Sequence, residues 1–205
     1  MTLTGVSFAK KTLSVITTTP DIAYLAKKIG KDKVTVESLL TGHEDVHYID
    51  AMPHFVSKVA KADIFCMVGL ELEIGWAPKV ATKSGNQKVQ PGGKGYCDAS
   101  KYVEALDKPI GKISRSMGDV HAGGNPHYNL GVTSFIMAGK GVLETLIDSD
   151  PGSAELYVKN YDDLKKHLMQ IKGKVANILK PLRGKAIMEY HKEFPYFFDE
   201  FGLVS

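Results

Sequence analysis

The chain has 205 residues, 43% of them hydrophobic and 24% charged, with a formal net charge of +3. A chain of this length buries roughly 70% of the surface its unfolded form exposes, so it needs neither disulfide nor metal merely to fold. Its charges are scattered, with no basic block interleaved with aromatics, which argues against nucleic acid as a partner. No apolar run approaches the ~20 residues that cross a bilayer.

The first residues, MTLTGVSFAKK, place Ser7-Phe8-Ala9 before Lys10-Lys11. They read as the stump of a shortened secretory signal without its apolar segment, the alternative being an ordinary chain end. TLSVITT (12–18) predicts a buried strand. TPDIAYLAKKIG predicts a helix with Thr19 as N-cap, Pro20 at the first turn and Gly30 as the stop. KVTVESL (33–39) predicts a second strand, PHFVSKVAKA a helix opened by Pro53, and DIFCMV (63–68) a third strand. Cys66, inside that apolar run, reads as a buried free thiol. A Cys66–Cys97 disulfide suits an oxidising compartment, but two positions do not establish one.

ELEIGWAPKVATKSG predicts an interrupted helix and QKVQ (87–90) a short fourth strand, with mostly loop from Pro91 to Asn129. Strand and helix alternating at this spacing predict an α/β fold, a parallel-sheet lobe with flanking helices. GVTSFIMAGKGVLETLIDS (131–149) predicts another helix. Beyond it, Tyr157, Tyr161, Leu164, Leu168, Ile171, Val175, Ile178 and Leu182 step by four and three along one face of a long helix. KAIMEY (185–190) predicts a final strand, followed by an amphipathic aromatic segment.

His43-Glu44-Asp45-Val46-His47 spells the H-E-x-x-H of zinc proteases. That chemistry needs a helix, because only an i, i+4 offset brings both imidazoles to one face. Thr41-Gly42 and Pro53 bracket the stretch, and it follows a strand directly, so it reads as a loop at the carboxyl edge of the sheet, where α/β folds carry ligand sites. His127, in GGNPHYNL, and His191, in MEYHKEFPYF, have comparable settings. Three imidazoles from separate loops can supply three of the four tetrahedral positions of zinc. By spacing alone, three unrelated surface histidines explain the pattern better.

The flanking residues alter that balance. GHEDVHYIDAMPHFVSKVAKADIFCMVGLELEIGW, GDVHAGGNPHYNL and EYHKEFPYFFDEFGL, in this order, resemble the metal-binding solute-binding proteins of ABC transporters, periplasmic or surface receptors for zinc and manganese. The resemblance implies two α/β lobes joined by a rigid spine helix, with the metal between them. It divides the chain into an N-terminal lobe (12–150), the spine (154–182) and the beginning of a C-terminal lobe (185–205). It also implies that His47, His127 and His191 are the first three metal ligands, that Zn²⁺ (alternatively Mn²⁺) is the cargo, and that the protein is periplasmic, capturing the ion outside the cytoplasm and handing it to the membrane permease of an ABC transporter.

Two departures accompany the likeness. The family continues through most of a second lobe that supplies a fourth ligand, so this chain is expected to be a fragment, a truncated product or a homodimer completed through an open sheet edge. The family's Leu-Asp-Pro after Asn-Pro-His is here Leu130-Gly131-Val132, expected to loosen the start of the following helix. His43, His54 and His167 read as surface residues. His121 reads as a loop residue, with an auxiliary ligand role as the alternative. Tyr48, Tyr128 and Tyr190, each beside a proposed ligand, read as packing rather than as shields. The competing functional readings are a zinc hydrolase with Glu44 or Asp45 as base, and a remnant that binds nothing tightly; the reading taken is not an enzyme.

Overall fold

The computed structural model describes residues 12–109 and 121–204, so the reading of residues 1–11 as a signal stump lies outside the described residues. Strands β1 (Leu13–Thr17), β2 (Val34–Ser38), β3 (Ile64–Met67) and β4 (Tyr96–Asp98) form one parallel sheet in the order β2-β1-β3-β4. The α-helices among the described residues are α1 (Pro20–Gly30), α2 (Pro53–Val59), α3 (Ala77–Ser84), α4 (Val132–Ser149), α5 (Ala154–Leu179) and α6 (Pro195–Phe201). The period-two pleat sends Val15, Ile64 and Cys66 to one face, where Ile22, Leu25, Val142, Leu146 and Tyr161 of α1, α4 and α5 cover them. Ile16, Phe65 and Met67 go to the other face, under Phe55, Val59, Trp76 and Val80. Burial on both faces is why these strands read as apolar runs.

Several sequence expectations need correction. Residues 87–90 are not a strand: Gln87–Val89 is a 3-10 turn, because the Asn86 side chain accepts from the Lys88 amide and donates to the carbonyls of Val59 and Ala62. The fourth strand is β4 instead, inside the stretch read as loop. It closes against β3 because residue 95 is glycine; a Cβ there would lie 1.9 Å from the Asp63 carbonyl oxygen. The β3–β4 register sets Cys66 opposite Cys97, Cα atoms 4.3 Å apart, and the two are disulfide-bonded, so Cys66 is not the free thiol expected. Residues 185–190 contribute one bridge, Ala186 to Val204, rather than a strand.

The long helix α5 has 26 residues, about 39 Å at 1.5 Å per residue. Its first half is fastened to the lobe: Tyr157, Tyr161, Leu164 and Leu168 are buried, Asn160 Nδ2 donates to the Ile29 carbonyl at 2.8 Å, and Tyr161 Oη donates to that of Ile136 at 3.0 Å. The same apolar stripe continues through Ile171, Ile178 and Leu182, but there it is exposed, Ile178 to 74%.

The start of α4 is not loosened by Gly131. The Glu200 carboxylate, from α6, accepts from the Val132 amide, from the Thr133 amide at 2.9 Å and from the Thr133 hydroxyl, and it pairs with Lys172 of α5 at 2.7 Å. A carboxylate distant in sequence thus does the work of an N-cap. Glycine is required beside it, since a Cβ at 131 would meet Tyr196 Cβ at 2.8 Å. Burial pushes the Glu200 carboxyl up, but Lys172, Thr133 and the Val132 amide outweigh it and hold the group below its ordinary value. Glu200→Ala is expected to cost about 1–2 kcal/mol in denaturant unfolding, as for a lost cap. Because the folded carboxyl titrates lower than the unfolded one, that contribution is complete above the ordinary carboxylate range and fades as pH falls through the lowered value. The gap between wild type and variant should therefore shrink on acidification.

Candidate metal centre

The carboxyl ends of the strands open into a cleft of about 700 Å³ lined by Thr19, Asp21, Glu44, Asp45, His47, His127, His191 and Glu193, among others. His43-Glu44-Asp45-Val46-His47 is not an α-helix. Glu44 folds back on its own loop, accepting from the amides of Thr41, Gly42 and His43 at 2.9, 3.1 and 3.2 Å and from the Thr41 hydroxyl at 3.0 Å. Hydrogen bonds from its own backbone, then from Thr41 and Gly42, outweigh desolvation and hold this carboxyl down to about 2.

His47 lies in the 3-10 turn Val46–Tyr48. Asp45 Oδ1 accepts from both the His47 amide, at 3.0 Å, and ring Nδ1, at 2.9 Å. Partial burial pushes the Asp45 carboxyl up, but the two bonds from His47 bring it net below its ordinary value. The buried Trp76 ring anchors the turn by donating from Nε1 to the Val46 carbonyl at 2.9 Å. His127 repeats the arrangement one loop away: Asn125 Oδ1 accepts from the His127 amide at 2.9 Å and faces ring Nδ1 at 3.0 Å. An ionised carboxylate oxygen and an amide carbonyl oxygen carry no hydrogen and can only accept, so Nδ1 carries the proton on both rings and the Nε2 lone pair is left for a ligand. His47 Nε2 is buried with no hydrogen-bond partner among the described residues.

His191 reaches the same point from the C-terminal segment. One ring nitrogen each of His47, His127 and His191 lies within 4.8 Å of the other two, and the three residues are half-buried. Their centroids are 5.5, 5.8 and 5.3 Å apart for the pairs 47–127, 47–191 and 127–191. Nitrogens about 2.0–2.1 Å from a tetrahedral zinc would put ring centroids about 5 Å apart, so an ion is accommodated by sub-ångström adjustments.

The other histidines divide as follows. His43, His54 and His167 are exposed, as expected. His121, read as a loop residue, is half-buried beside His47, centroids 5.4 Å apart, but stands outside the three-nitrogen group. Tyr128 packs in the core and donates to the Val68 carbonyl at 2.6 Å, whereas Tyr48 and Tyr190 are exposed rather than packed.

Glu73 was not singled out in the sequence, where Leu72 and Ile74 flank it like any amphipathic position. It is 3% exposed, accepting from Thr18 Oγ1 at 2.6 Å, the Val68 amide at 2.7 Å and the Gly69 amide at 3.2 Å. It thereby joins the ends of β1 and β3. Burial raises its carboxyl to about 7, against the lowering effect of those hydrogen bonds. A folded value above the unfolded one favours the protonated form, so stability falls as pH rises from about 4.5 to 7. Relative to Glu73→Gln, the wild type should lose on the order of 3 kcal/mol across that interval in unfolding measured at stepped pH.

Residues 15–205 match the family model described as zinc-uptake complex component A, periplasmic (ZnuA). The manganese ABC transporter substrate-binding lipoprotein PsaA of Streptococcus pneumoniae is 30% identical over 201 residues, which cover 94% of this chain and 60% of that protein. The fold is similar to a crystal structure of ZnuA (TM-score 0.76, 22% identity, 95% of this chain and 69% of that one). It is equally similar to Zn(II)-bound AdcA from Streptococcus pneumoniae (TM-score 0.76, 22% identity, 94% and 38%). The chain spans about 60% of the length of the curated relatives it matches. On the extent of the family match, the chain belongs to the periplasmic zinc-uptake component A family.

Proposed function

We propose that this chain captures a divalent metal ion outside the cytoplasm, as the ion-binding part of a solute-binding protein that delivers it to an ABC permease. The observation that carries this reading is the convergence of His47, His127 and His191, with two of the rings already aimed by Asp45 and Asn125. Zinc is the favoured cargo: three imidazoles suit it, whereas manganese prefers more oxygen donors. Asp21, Asp45 and Glu193 in the cleft wall add a field that favours cations. Residues 12–150 act as one lobe, 154–182 as the spine and 185–205 as the beginning of a second lobe. The exposed apolar half of the spine is consistent with that division. A homodimer is not part of the reading, since residues 185–190 do not form the open edge strand that would have recruited a second copy.

The function is binding without chemistry. The two carboxylates nearest His47 that could serve as a base are engaged, Glu44 with its own loop amides and Asp45 with the His47 ring. Imidazole must be neutral to coordinate, and free imidazole titrates near ~6.5. Zinc affinity measured by calorimetric competition from pH 8 to pH 5 should hold and then drop steeply below about 6.5. An affinity flat across that range would rule out the histidine site. Asp45→Ala, which removes the ring's acceptor, should weaken zinc binding by roughly 10–100-fold at pH 7.

A further inference from the structure

Asn125 touches more than the histidine two residues away. Its Oδ1 holds the His127 amide and ring, while its Nδ2 donates to the Lys192 carbonyl, immediately after His191, at 2.7 Å. The two ends of one planar amide are therefore occupied by the settings of two different candidate ligands. Its backbone is held as well. The amide donates to the Leu106 carbonyl at 2.8 Å, and the carbonyl accepts from Tyr196 Oη at 2.7 Å, which in turn accepts from the Leu106 amide at 3.1 Å. A further polar tie of this segment to the lobe, Lys192 to Asp107 at 2.7 Å, is a solvent-exposed pair. Pairs of that kind contribute little to holding two elements together.

We infer that Asn125 is a positioning residue that latches the His191 segment to the His127 loop and so slows release of the bound ion. This rests on the metal-capture reading above and adds a cause for retention. The amide is specific to the task. An aspartate would still accept both bonds from His127, and its charge would make the ring a stronger donor. Its second oxygen, however, would face the Lys192 carbonyl lone pair to lone pair, so the bridge would be lost while the aim of His127 survived. Serine, too short to reach Lys192, would lose the bridge without adding charge.

The test uses the 205-residue chain loaded with Zn²⁺ alone and chased with excess chromophoric chelator at pH 7.5, alongside thermal unfolding of the metal-free proteins. Asn125→Asp is expected to release zinc roughly 10–100-fold faster than wild type, with metal-free unfolding little changed. Asn125→Ser should also release faster, and it decides the matter should the aspartate variant fail to fold. Release at the wild-type rate from a folded variant overturns the latch while leaving the capture reading intact. A wild-type chain that retains no zinc overturns both.

Discussion

An imidazole ring on a loop is a poor metal ligand until something decides which of its nitrogens carries the proton and which way the ring faces. Here both decisions are made by one side chain two residues upstream. Asp45 and Asn125 each accept the histidine's own amide and then its Nδ1–H, so backbone conformation and ring orientation are set together. The proposed cargo follows from having two such units face a common point together with a third ring, that of His191. The units differ in charge. The carboxylate behind His47 strengthens that ring as a donor, whereas the neutral amide behind His127 has a second hand free for Lys192.

The short C-terminal segment that brings His191 is held by chemistry rather than by a sheet. Glu200 closes the start of α4 and pairs with Lys172 on the spine, so three helices meet at one carboxylate. Tyr196 and Lys192 fasten the same segment to the loop around Asn125 and Leu106. Gly131 is what allows Tyr196 to approach. The glycine and the cap supplied by Glu200 are parts of a single arrangement.

Glu73 shows the opposite trade. Its desolvation costs stability at neutral pH, yet it satisfies a hydroxyl and two amides at the ends of neighbouring strands, groups that would otherwise be buried without partners. The ends of β1 and β3 are thereby joined by one side chain. The cleft wall built from Glu44 and the turn at His47 is held by bonds local to one loop.

Much of this was legible in the residues themselves. Three of the four strands, the helices opened by Pro20 and Pro53, the long helix's period and the three histidines that converge are local signals, carried by alternation, N-terminal prolines, four-and-three spacing and short flanking motifs. What was not legible depends on neighbours distant in the chain. Tyr96–Asp98 is too short to announce a strand and exists because glycine at 95 lets it lie against β3. The bond from Cys66 to Cys97 follows from that register. The cap from Glu200, the bond from Thr18 to the buried Glu73 and the bridge from Asn125 to Lys192 join residues that sequence keeps apart by 55 to 67 positions. Local pattern determined which elements form and which side chains could coordinate. Tertiary packing alone decided which polar groups meet, because a hydrogen bond depends on where two groups lie in space, and spacing along the chain reports that only within one turn or one strand.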